Sequence, residues 1–279
     1  MPRYFVEVAY KGTQYAGFQV QQNANTIQGE IEKALNILHA SSNNDLSPNE
    51  RKNLILTGSS RTDAGVHALQ NFFHFDCELP VDNWKGITNE EQLIYKCNAI
   101  LPGDIVVRKI FPVAQKAHCR FDATSREYIY RIHRFKNPFL QQTSYFFPYS
   151  LNFEALNQAA AIVKEQTNFF SFAKSNTEVK NFYCTIYKCQ WGEEGEQLVF
   201  NIEANRFLRG MVRLLTASLL KVGRSKLSLA EFKTFFEQHQ KSGSSVPAHG
   251  LFLKHVEFPA SYFNGSEENA GAEGSFTPF

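Results

Sequence analysis

Cysteine is scarce in this chain of 279 residues, and long apolar runs are missing. The five cysteines are odd in number and include no Cys-x-x-Cys pair, which argues against a disulfide framework and against a zinc ribbon. No apolar run approaches the roughly 18 residues of a membrane span, and the first residues lack an apolar signal core. We therefore expect a cytoplasmic protein with reduced thiols, no membrane contact and no metal.

Strong charge of either sign is also lacking. Lys and Arg number 29 against 27 Asp and Glu, so the formal net charge is only +2. Because many nucleic-acid binders are far more basic, any RNA site in this chain has to be a local patch. Tryptophan is rare as well, with 2 residues against 26 phenylalanines, whose rings we expect mostly to fill cores.

Hydrophobic patterning divides the chain into two halves of the same plan. Each half predicts the order βαββαβ, from strand-forming runs and from apolar residues at helical spacing. Predicted strands lie at 4–10, 53–57, 71–75 and 105–111, and then at 125–135, 183–191, 197–204 and 251–258. Predicted helices lie at 26–38, 89–100, 151–164 and 207–222, with an extra helix at 229–238.

A repeated βαββαβ order is typical of ferredoxin-like units. We therefore predict an α+β fold of two ferredoxin-like domains with antiparallel sheets, at 1–114 and 123–260, and an active-site cleft between them. If the two sheets join edge to edge, residues of both halves line that groove, where ligand sites concentrate. The polar, Gly-rich end at 261–279 predicts a disordered tail.

One loop carries a carboxylate suited to chemistry. Asp63 lies between two apolar strands in the run Ser60-Arg61-Thr62-Asp63-Ala64-Gly65-Val66-His67-Ala68. Arg61 and His67 are candidate partners, and an adjacent guanidinium favours the ionised form of a carboxylate in a dry pocket. Gly65 lets the backbone approach a ligand closely. Taken alone, such an Asp is more often a loop residue that caps the following turn.

Side chains alternate along the predicted strand that begins at Ser125. Arg126, Tyr128 and Tyr130 should share one face, and Glu127 should lie on the other. The first face combines a guanidinium with rings, which suits holding phosphate and stacking an extruded base. Without further context, tyrosines half buried in a strand are an equally good interpretation.

Three arginines recur three and four residues apart at the start of the helix predicted at 207–222. They are Arg206, Arg209 and Arg213, and this spacing predicts that they share one helix face. A basic stripe on an amphipathic helix is most often a solvated surface. Phosphate contacts are the functional alternative for Arg206 and Arg209.

The loop of Asp63 resembles the active-site motif G-R-T-D-A-G-V-H-A of the TruA family of tRNA pseudouridine synthases, and eight consecutive residues agree, Arg61 to Ala68. Four further family blocks match in the same order. They are Tyr10-Lys11-Gly12-Thr13-Gln14-Tyr15-Ala16-Gly17-Phe18-Gln19-Val20-Gln21, Arg126-Glu127-Tyr128-Ile129-Tyr130, Phe207-Leu208-Arg209-Gly210-Met211-Val212-Arg213 and Pro247-Ala248-His249-Gly250-Leu251-Phe252-Leu253. The resemblance covers roughly residues 3 to 257.

Three departures from the family pattern are visible. Ser60 replaces the usual Gly, Phe18 the usual Trp and Lys11 the usual Asp. Ser60 bears on the backbone angles of the loop, because Gly tolerates positive φ and Ser does so poorly. None of the three removes a reactive group.

This resemblance implies an isomerase without a cofactor that converts uridine to pseudouridine at positions 38, 39 and 40, in the anticodon stem-loop of tRNA. It implies Asp63 as the catalytic nucleophile, with Tyr128, Arg61 and Arg213 as substrate-binding residues and Arg213 paired with the aspartate. It also implies a homodimer. The residues leave open whether the carboxylate adds to ribose C1', adds to uracil C6 or first abstracts a ribose proton.

Two other function classes share part of these features. A non-catalytic RNA-binding module has the same predicted layout, but the chain lacks a K-G-F-G-F-V run of the kind found in RNA-recognition motifs. A retaining glycoside hydrolase also uses a carboxylate nucleophile, but it needs a second carboxyl group about 5 Å away. Glu127 is the other acid in the matched blocks, and the predicted alternation turns it away from Tyr128.

Overall fold

The computed structural model describes residues 1–42, 53–174 and 181–262 of the chain. Within these ranges, five α-helices and a single nine-stranded sheet form a mixed α/β fold. The helices are α1 (Ile27–Ser42), α2 (Glu90–Ile100), α3 (Phe153–Glu165), α4 (Met211–Gly223) and α5 (Leu229–Glu237). The strands are β1 (Arg3–Tyr10), β2 (Thr57–Gly58), β3 (His67–Asp76), β4 (Ile105–Val113), β5 (Ser125–His133), β6 (Tyr145–Phe146), β7 (Ile186–Glu194), β8 (Gln197–Ala204) and β9 (Leu251–Glu257).

One continuous sheet joins both halves of the chain. Its strand order is β4-β1-β3-β9-β5-β8-β7, with β2 paired to β3 and β6 paired to β5. The long neighbouring strands within each half are antiparallel. The halves meet where β3 and β9 run parallel, over the pairs His67↔Phe252 and Ala68↔Leu253. The edge-to-edge join, which the sequence leaves open, is therefore present.

Helix starts follow the capping residues of the sequence. Asn89, Asn152 and Ser228 each accept a hydrogen bond from the backbone N–H three residues further on, at the starts of α2, α3 and α5. Such side chains satisfy one of the N–H groups that a helix leaves unpaired in its first turn. These three helices begin within two residues of the predicted positions.

The strand predicted at 53–57 is wrong in extent, because only Thr57–Gly58 pair with β3. Leu54 and Leu56 are buried as a strand pattern suggests. Their backbone N–H groups, however, donate to side chains of α1, to Asn36 Oδ1 at 2.7 Å and to Glu32 Oε1 at 2.9 Å. Side chains of α1 thus accept the hydrogen bonds that a neighbouring strand would otherwise accept. The strand propensity of these residues does not reveal this arrangement.

Each half of the sheet carries its own buried cluster of hydrophobic side chains. Tyr130 belongs to the cluster of the second half, and Tyr128 packs against both clusters. Ile129 lies instead with Val199 and Phe252 in a separate small group. The predicted alternation of side chains along β5 is therefore confirmed.

His67 connects the two halves at the join of the sheet. Its Nδ1 accepts the Gly12 N–H at 3.0 Å, and its Nε2 lies 3.0 Å from His249 O. Because Nδ1 accepts, the proton of the neutral ring belongs on Nε2, which then donates to the carbonyl. Burial lowers the pKa of His67, which favours that neutral form.

The last described residues close the core of the first half. Ala260–Tyr262 form a 3-10 turn, in which the Tyr262 ring stacks on Phe5 at 5.8 Å between centroids and the hydroxyl donates to Asp122. The remainder of the predicted tail, 263–279, lies outside the described residues. Across the described ranges, no helix has the length and apolar character needed to cross a membrane.

His74 gives the fold a pH dependence. Its ring is buried on β3, and Nδ1 accepts the Cys119 N–H at 3.4 Å. Burial, with the charges of Arg3 and His118 in addition, lowers the pKa of His74 from 6.5 to about 4. Below about pH 6.5 the unfolded chain binds a proton that the folded chain does not. The contribution of His74 to stability is therefore complete above that pH and is lost as the pH falls toward 4.

We expect His74 alone to lower the free energy of unfolding by about 2 kcal/mol between pH 7.5 and pH 5. Urea unfolding at the two pH values measures this loss in the wild type. The loss of stability should shrink by about 2 kcal/mol in His74→Gln. It should persist in His255→Gln, a control variant in which the substituted ring is exposed on β9. An undiminished loss in His74→Gln would show that another group carries the pH dependence.

Candidate active site

Two buried hydrogen bonds hold the loop that leads to Asp63. Asn71 Nδ2, on β3, donates to Ser60 O at 3.0 Å. The hydroxyls of Tyr10, at the end of β1, and Thr62 lie 2.8 Å apart. The residues before the carboxylate are therefore fixed to the first half of the sheet.

A tight turn presents the Asp63 side chain. Asp63 O accepts the Val66 N–H at 3.1 Å, and Gly65 within this turn has φ +78°. Residues with a Cβ seldom adopt a positive φ, so glycine suits the third position of the turn. The chain then enters β3, which anchors the far side of the loop.

The three departures from the family pattern are accommodated without strain in the loop. Phe18 is buried behind it and donates its N–H to Thr62 O at 3.1 Å. Gly58 makes room for this ring, since a Cβ there would lie 2.2 Å from it. Ser60 is not among the positive-φ residues of the described chain, so serine needs no unusual backbone angle. Lys11 is exposed.

Three cations from the second half converge on the Asp63 carboxylate. Lys174 Nζ lies 3.5 Å from Oδ2, Arg213 Nη1 lies 3.6 Å from Oδ2, and Arg209 Nε lies 3.8 Å from Oδ1. The exposed fraction of the side chain is 22% for Asp63, 16% for Arg213, 38% for Lys174 and 66% for Arg209. These separations exceed hydrogen-bond length, so the cations attract the carboxylate without occupying its lone pairs.

Arg213 is the least exposed of these cations, and the backbone of Val246 holds it in place. Its Nε donates to Val246 O at 2.8 Å, and its backbone O accepts the Val246 N–H at 3.3 Å. The rest of the guanidinium is thereby turned toward Asp63. The approach of 3.6 Å is the pairing that the family resemblance leads us to expect.

Sequence reasoning located only part of this charge cluster. Arg61 is exposed, and His67 is engaged at the join of the sheet; within the described residues neither forms an ion pair with Asp63. Lys174 was missed, because it lies in no motif block. Its backbone N–H donates to Arg209 O at 3.2 Å, so a tertiary contact rather than a local pattern brings it to the site.

The helix predicted at 207–222 begins later than expected, at Met211. Gly210 is its N-cap residue, with φ +74°. Arg206 and Arg209 therefore precede the helix, and the predicted helix face shared with Arg213 is wrong. The left-handed turn at Gly210 nevertheless brings Arg209 and Arg213 to the same carboxylate.

Tyr128 lies on β5 within electrostatic reach of Asp63. The half-buried ring meets Phe207 edge-on at 5.1 Å between centroids. Burial raises the pKa of Tyr128 above its ordinary value, with Tyr10 and the negative charge of Asp63 adding to the rise. The phenol therefore stays protonated at neutral pH. Tyr130 is fully buried and donates to Pro247 O at 2.8 Å, as a structural residue would.

Arg126 is committed to the backbone around the site. Its guanidinium donates to Arg120 O at 2.6 Å, Ala123 O at 2.9 Å and Asn205 O at 3.1 Å. These bonds tie the linker between the halves to the segment that precedes α4. The structure therefore gives this arginine a positioning role rather than the predicted phosphate contact.

Glu127 lies on the opposite face of the sheet from Tyr128. Its Oε1 is 3.2 Å from Lys254 Nζ and 3.4 Å from Lys188 Nζ. The acid that a retaining glycoside hydrolase would need is thus turned away from Asp63. The observed site offers one carboxylate, a ring within electrostatic reach of it and cations in excess, which suits covalent chemistry on a substrate that carries phosphate.

Comparison with known proteins places this arrangement in a family. The model of the family described as tRNA pseudouridine synthase matches residues 7–122 and 166–259, which include Asp63 and all three cations. The tRNA pseudouridine synthase A of Parabacteroides distasonis is 41% identical over 265 residues, 94% of this chain and 98% of that protein. The protein of that name from Bacteroides fragilis has the same identity and coverage, and that from Anoxybacillus flavithermus is 36% identical over 92% of this chain.

The chain therefore belongs to the tRNA pseudouridine synthase family, and it is an isomerase by that membership. Its relatives within the family carry the name tRNA pseudouridine synthase A, which confirms the resemblance to the TruA family found in the Asp63 motif.

Asp63 and Asp76 form a matched pair for testing whether the site carboxylate is structural. Asp76 accepts two hydrogen bonds from Arg3, both at 2.7 Å, in contrast to the looser contacts of Asp63. We expect Asp76→Asn to lower the free energy of unfolding by about 1 kcal/mol and Asp63→Asn to change it by less than about 0.5 kcal/mol. Urea unfolding at neutral pH measures both. A larger loss in Asp63→Asn would mean that this carboxylate holds the loop together.

Proposed function

We propose that this protein converts uridine to pseudouridine in tRNA, with Asp63 as the nucleophile and without a cofactor. The observation that carries the proposal is the Asp63 carboxylate of the first half, set among cations of the second half and near Tyr128. The names of the relatives, which specify tRNA and pseudouridine, support the substrate and the reaction.

The reaction exchanges one bond for another. The bond between uracil N1 and ribose C1' breaks, the base turns while it remains bound, and C5 bonds to C1'; N1 gains a proton and C5 loses one. Asp63 adds to C1', adds to C6 or removes a ribose proton, and each route needs an anionic oxygen close to the nucleotide. Arg213 Nη1 lies 3.6 Å from Asp63 Oδ2, and at that separation the lone pairs of the carboxylate remain available to the substrate.

Binding has to extrude the target base. A uridine in or beside a stem leaves its stack at a cost of a few kcal/mol. Stacking on Tyr128 offsets about 1 to 3 kcal/mol of this. Arg209 and Arg61, whose side chains are exposed, supply phosphate contacts that add to the attraction.

The target uridines lie at positions 38, 39 and 40 of the anticodon stem-loop, and the protein works as a homodimer in the cytoplasm. The motif blocks that resemble the TruA family support these statements. The five cysteines, all buried and free, suit a reducing compartment. Sedimentation that detects only monomer at micromolar concentration would remove the homodimer.

The halves at 1–114 and 123–260 are ferredoxin-like domains, with the site in the cleft between them. Their strand orders support this interpretation, since the first half has β4-β1-β3-β2 and the second has β9-β5-β8-β7. When β6 is left out of the count, each half places its own strands in the same spatial order: fourth, first, third, second. The site then depends on the docking of two similar units.

Asp63→Asn should abolish the reaction while tRNA binding remains. An amide is neither a nucleophile nor a base, so product should fall by more than about a hundredfold. The cations that attract phosphate are unchanged, so the Kd for tRNA should stay within about threefold. Unmodified tRNA transcript is incubated with each protein, and pseudouridine is mapped by carbodiimide-blocked primer extension; filter retention gives the Kd.

Asp76→Asn is the control for this experiment and should retain the wild-type rate. Product in the Asp63→Asn lane would refute the assigned nucleophile. Tight tRNA binding by the wild type without product would instead favour a non-catalytic RNA-binding module.

Tyr128 should act through its ring in substrate binding. Tyr128→Phe keeps the ring, so we expect the Kd for tRNA to stay near the wild-type value. Tyr128→Leu removes the stacking surface and should weaken binding by about 1 to 3 kcal/mol. Equilibrium binding of the same transcript compares them, and equal affinities of the Phe and Leu variants would argue that no base stacks on this residue.

A further inference from the structure

A pocket lined by lysine and serine side chains opens beside the Asp63 site. Its volume is about 470 Å³, and its lining includes Lys174, Lys241 and the segment 242–245. Lys174 belongs to both places, since its Nζ lies 3.5 Å from Asp63 Oδ2. Among the described residues that line it, none is acidic. The pocket thus offers positive charge and hydrogen-bond donors next to the reacting carboxylate.

Ser242 contributes a buried hydroxyl without a partner. The residue is only 5% exposed, and in the described chain its Oγ makes no hydrogen bond. Its backbone is held in place, because its N–H donates to Ser171 O at 3.1 Å. A buried hydroxyl in this state is unfavourable, and rotation of the side chain toward the pocket that Ser242 lines would let the hydroxyl donate to an acceptor on a bound ligand.

The backbone that follows Ser242 also presents donors. Gly243 has φ +94°, which turns the chain. Within the described part of the chain, no hydrogen bond engages the N–H groups of residues 243, 244 and 245, and the next N–H, that of Val246, returns to Arg213 O. Successive N–H groups around a left-handed residue form a concavity that binds anions.

Lys241 is fixed at the edge of the pocket. Its ammonium donates to Phe170 O at 2.8 Å and to Ala173 O at 3.1 Å. The same Nζ lies 3.9 Å from the centroid of the Phe170 ring, which adds a cation–π contact. The position of this cation is therefore set before anything binds.

We propose that this pocket binds a backbone phosphate of the RNA substrate, next to the target nucleotide. The inference rests on the proposed function for the identity of the RNA. The non-bridging oxygens of a phosphodiester carry negative charge and only accept hydrogen bonds, which matches a lining of ammonium, hydroxyl and N–H groups. The phosphates that flank a nucleotide lie close to its C1', so a pocket that shares Lys174 with Asp63 is suitably placed.

Ser242→Ala tests the pocket, and Ser218→Ala is its matched control. Ser218 is likewise buried with an unpartnered hydroxyl, but it lies on α4 and outside the pocket. Binding is measured with a tRNA transcript that carries cytidine at positions 38, 39 and 40, so that no turnover occurs there. We expect Ser242→Ala to raise the Kd about tenfold at 0.1 M salt, with a melting temperature at or above that of the wild type. Ser218→Ala should leave the Kd unchanged.

A wild-type Kd in Ser242→Ala, or an equal rise in both variants, would overturn the proposal. Lys174→Gln gives a second measurement, because each phosphate contact contributes about 0.7 to 0.9 to the slope of log Kd against log salt. That slope should fall by about this amount in Lys174→Gln and stay constant in Lys233→Gln, on the exposed side of α5. An unchanged slope in Lys174→Gln would also overturn it.

The two proposals fail in different ways. If the wild type binds the transcript but forms no pseudouridine on unmodified tRNA, the proposed function is contradicted. The phosphate site is then decided by the binding of Ser242→Ala and Lys174→Gln alone. A wild type that modifies tRNA, with variants that bind normally, contradicts the pocket alone. Failure of the wild type to bind tRNA would overturn both.

Discussion

The attraction between one carboxylate and three cations across the two halves of the chain organises the candidate active site. Asp63 comes from a loop of the first half, and Lys174, Arg209 and Arg213 come from the second. Distances of 3.5 to 3.8 Å give attraction without a fixed hydrogen bond. The Asp63 carboxylate therefore stays accessible, and this cluster of charges is complete only when both halves are docked.

The contact between the two halves of the sheet is short. β3 and β9 share only two residue pairs, and His67 adds a hydrogen bond to each half beside them. The His67 ring also lies 4.5 Å from the Phe252 ring. The neutral His67 ring thus contributes to the join between the halves through its hydrogen bonds and its packing.

Local signals predicted most of the fold and the centre of the site. Alternation along β5 and the apolar spacing of the helices act within a few residues, and Asp63 and Arg213 stand in motif blocks. Lys174 was not predictable, because it reaches the site through the backbone of Arg209. Two elements depart from propensity for separate reasons. Hydrogen bonds to side chains of α1 shorten β2, and the left-handed Gly210 delays the start of α4.

Phe18 and Gly58 bear on how this site can vary among relatives. The Phe18 ring stacks on Phe73 at 4.8 Å and occupies the space that a Gly58 side chain would need, while its own N–H holds Thr62. A side chain at position 58 would collide with this ring, so packing couples the two positions. A change in ring size at 18 would act through the hydrogen bond from Phe18 N–H to Thr62 O, so the packing of a buried aromatic bears on the position of the neighbouring Asp63.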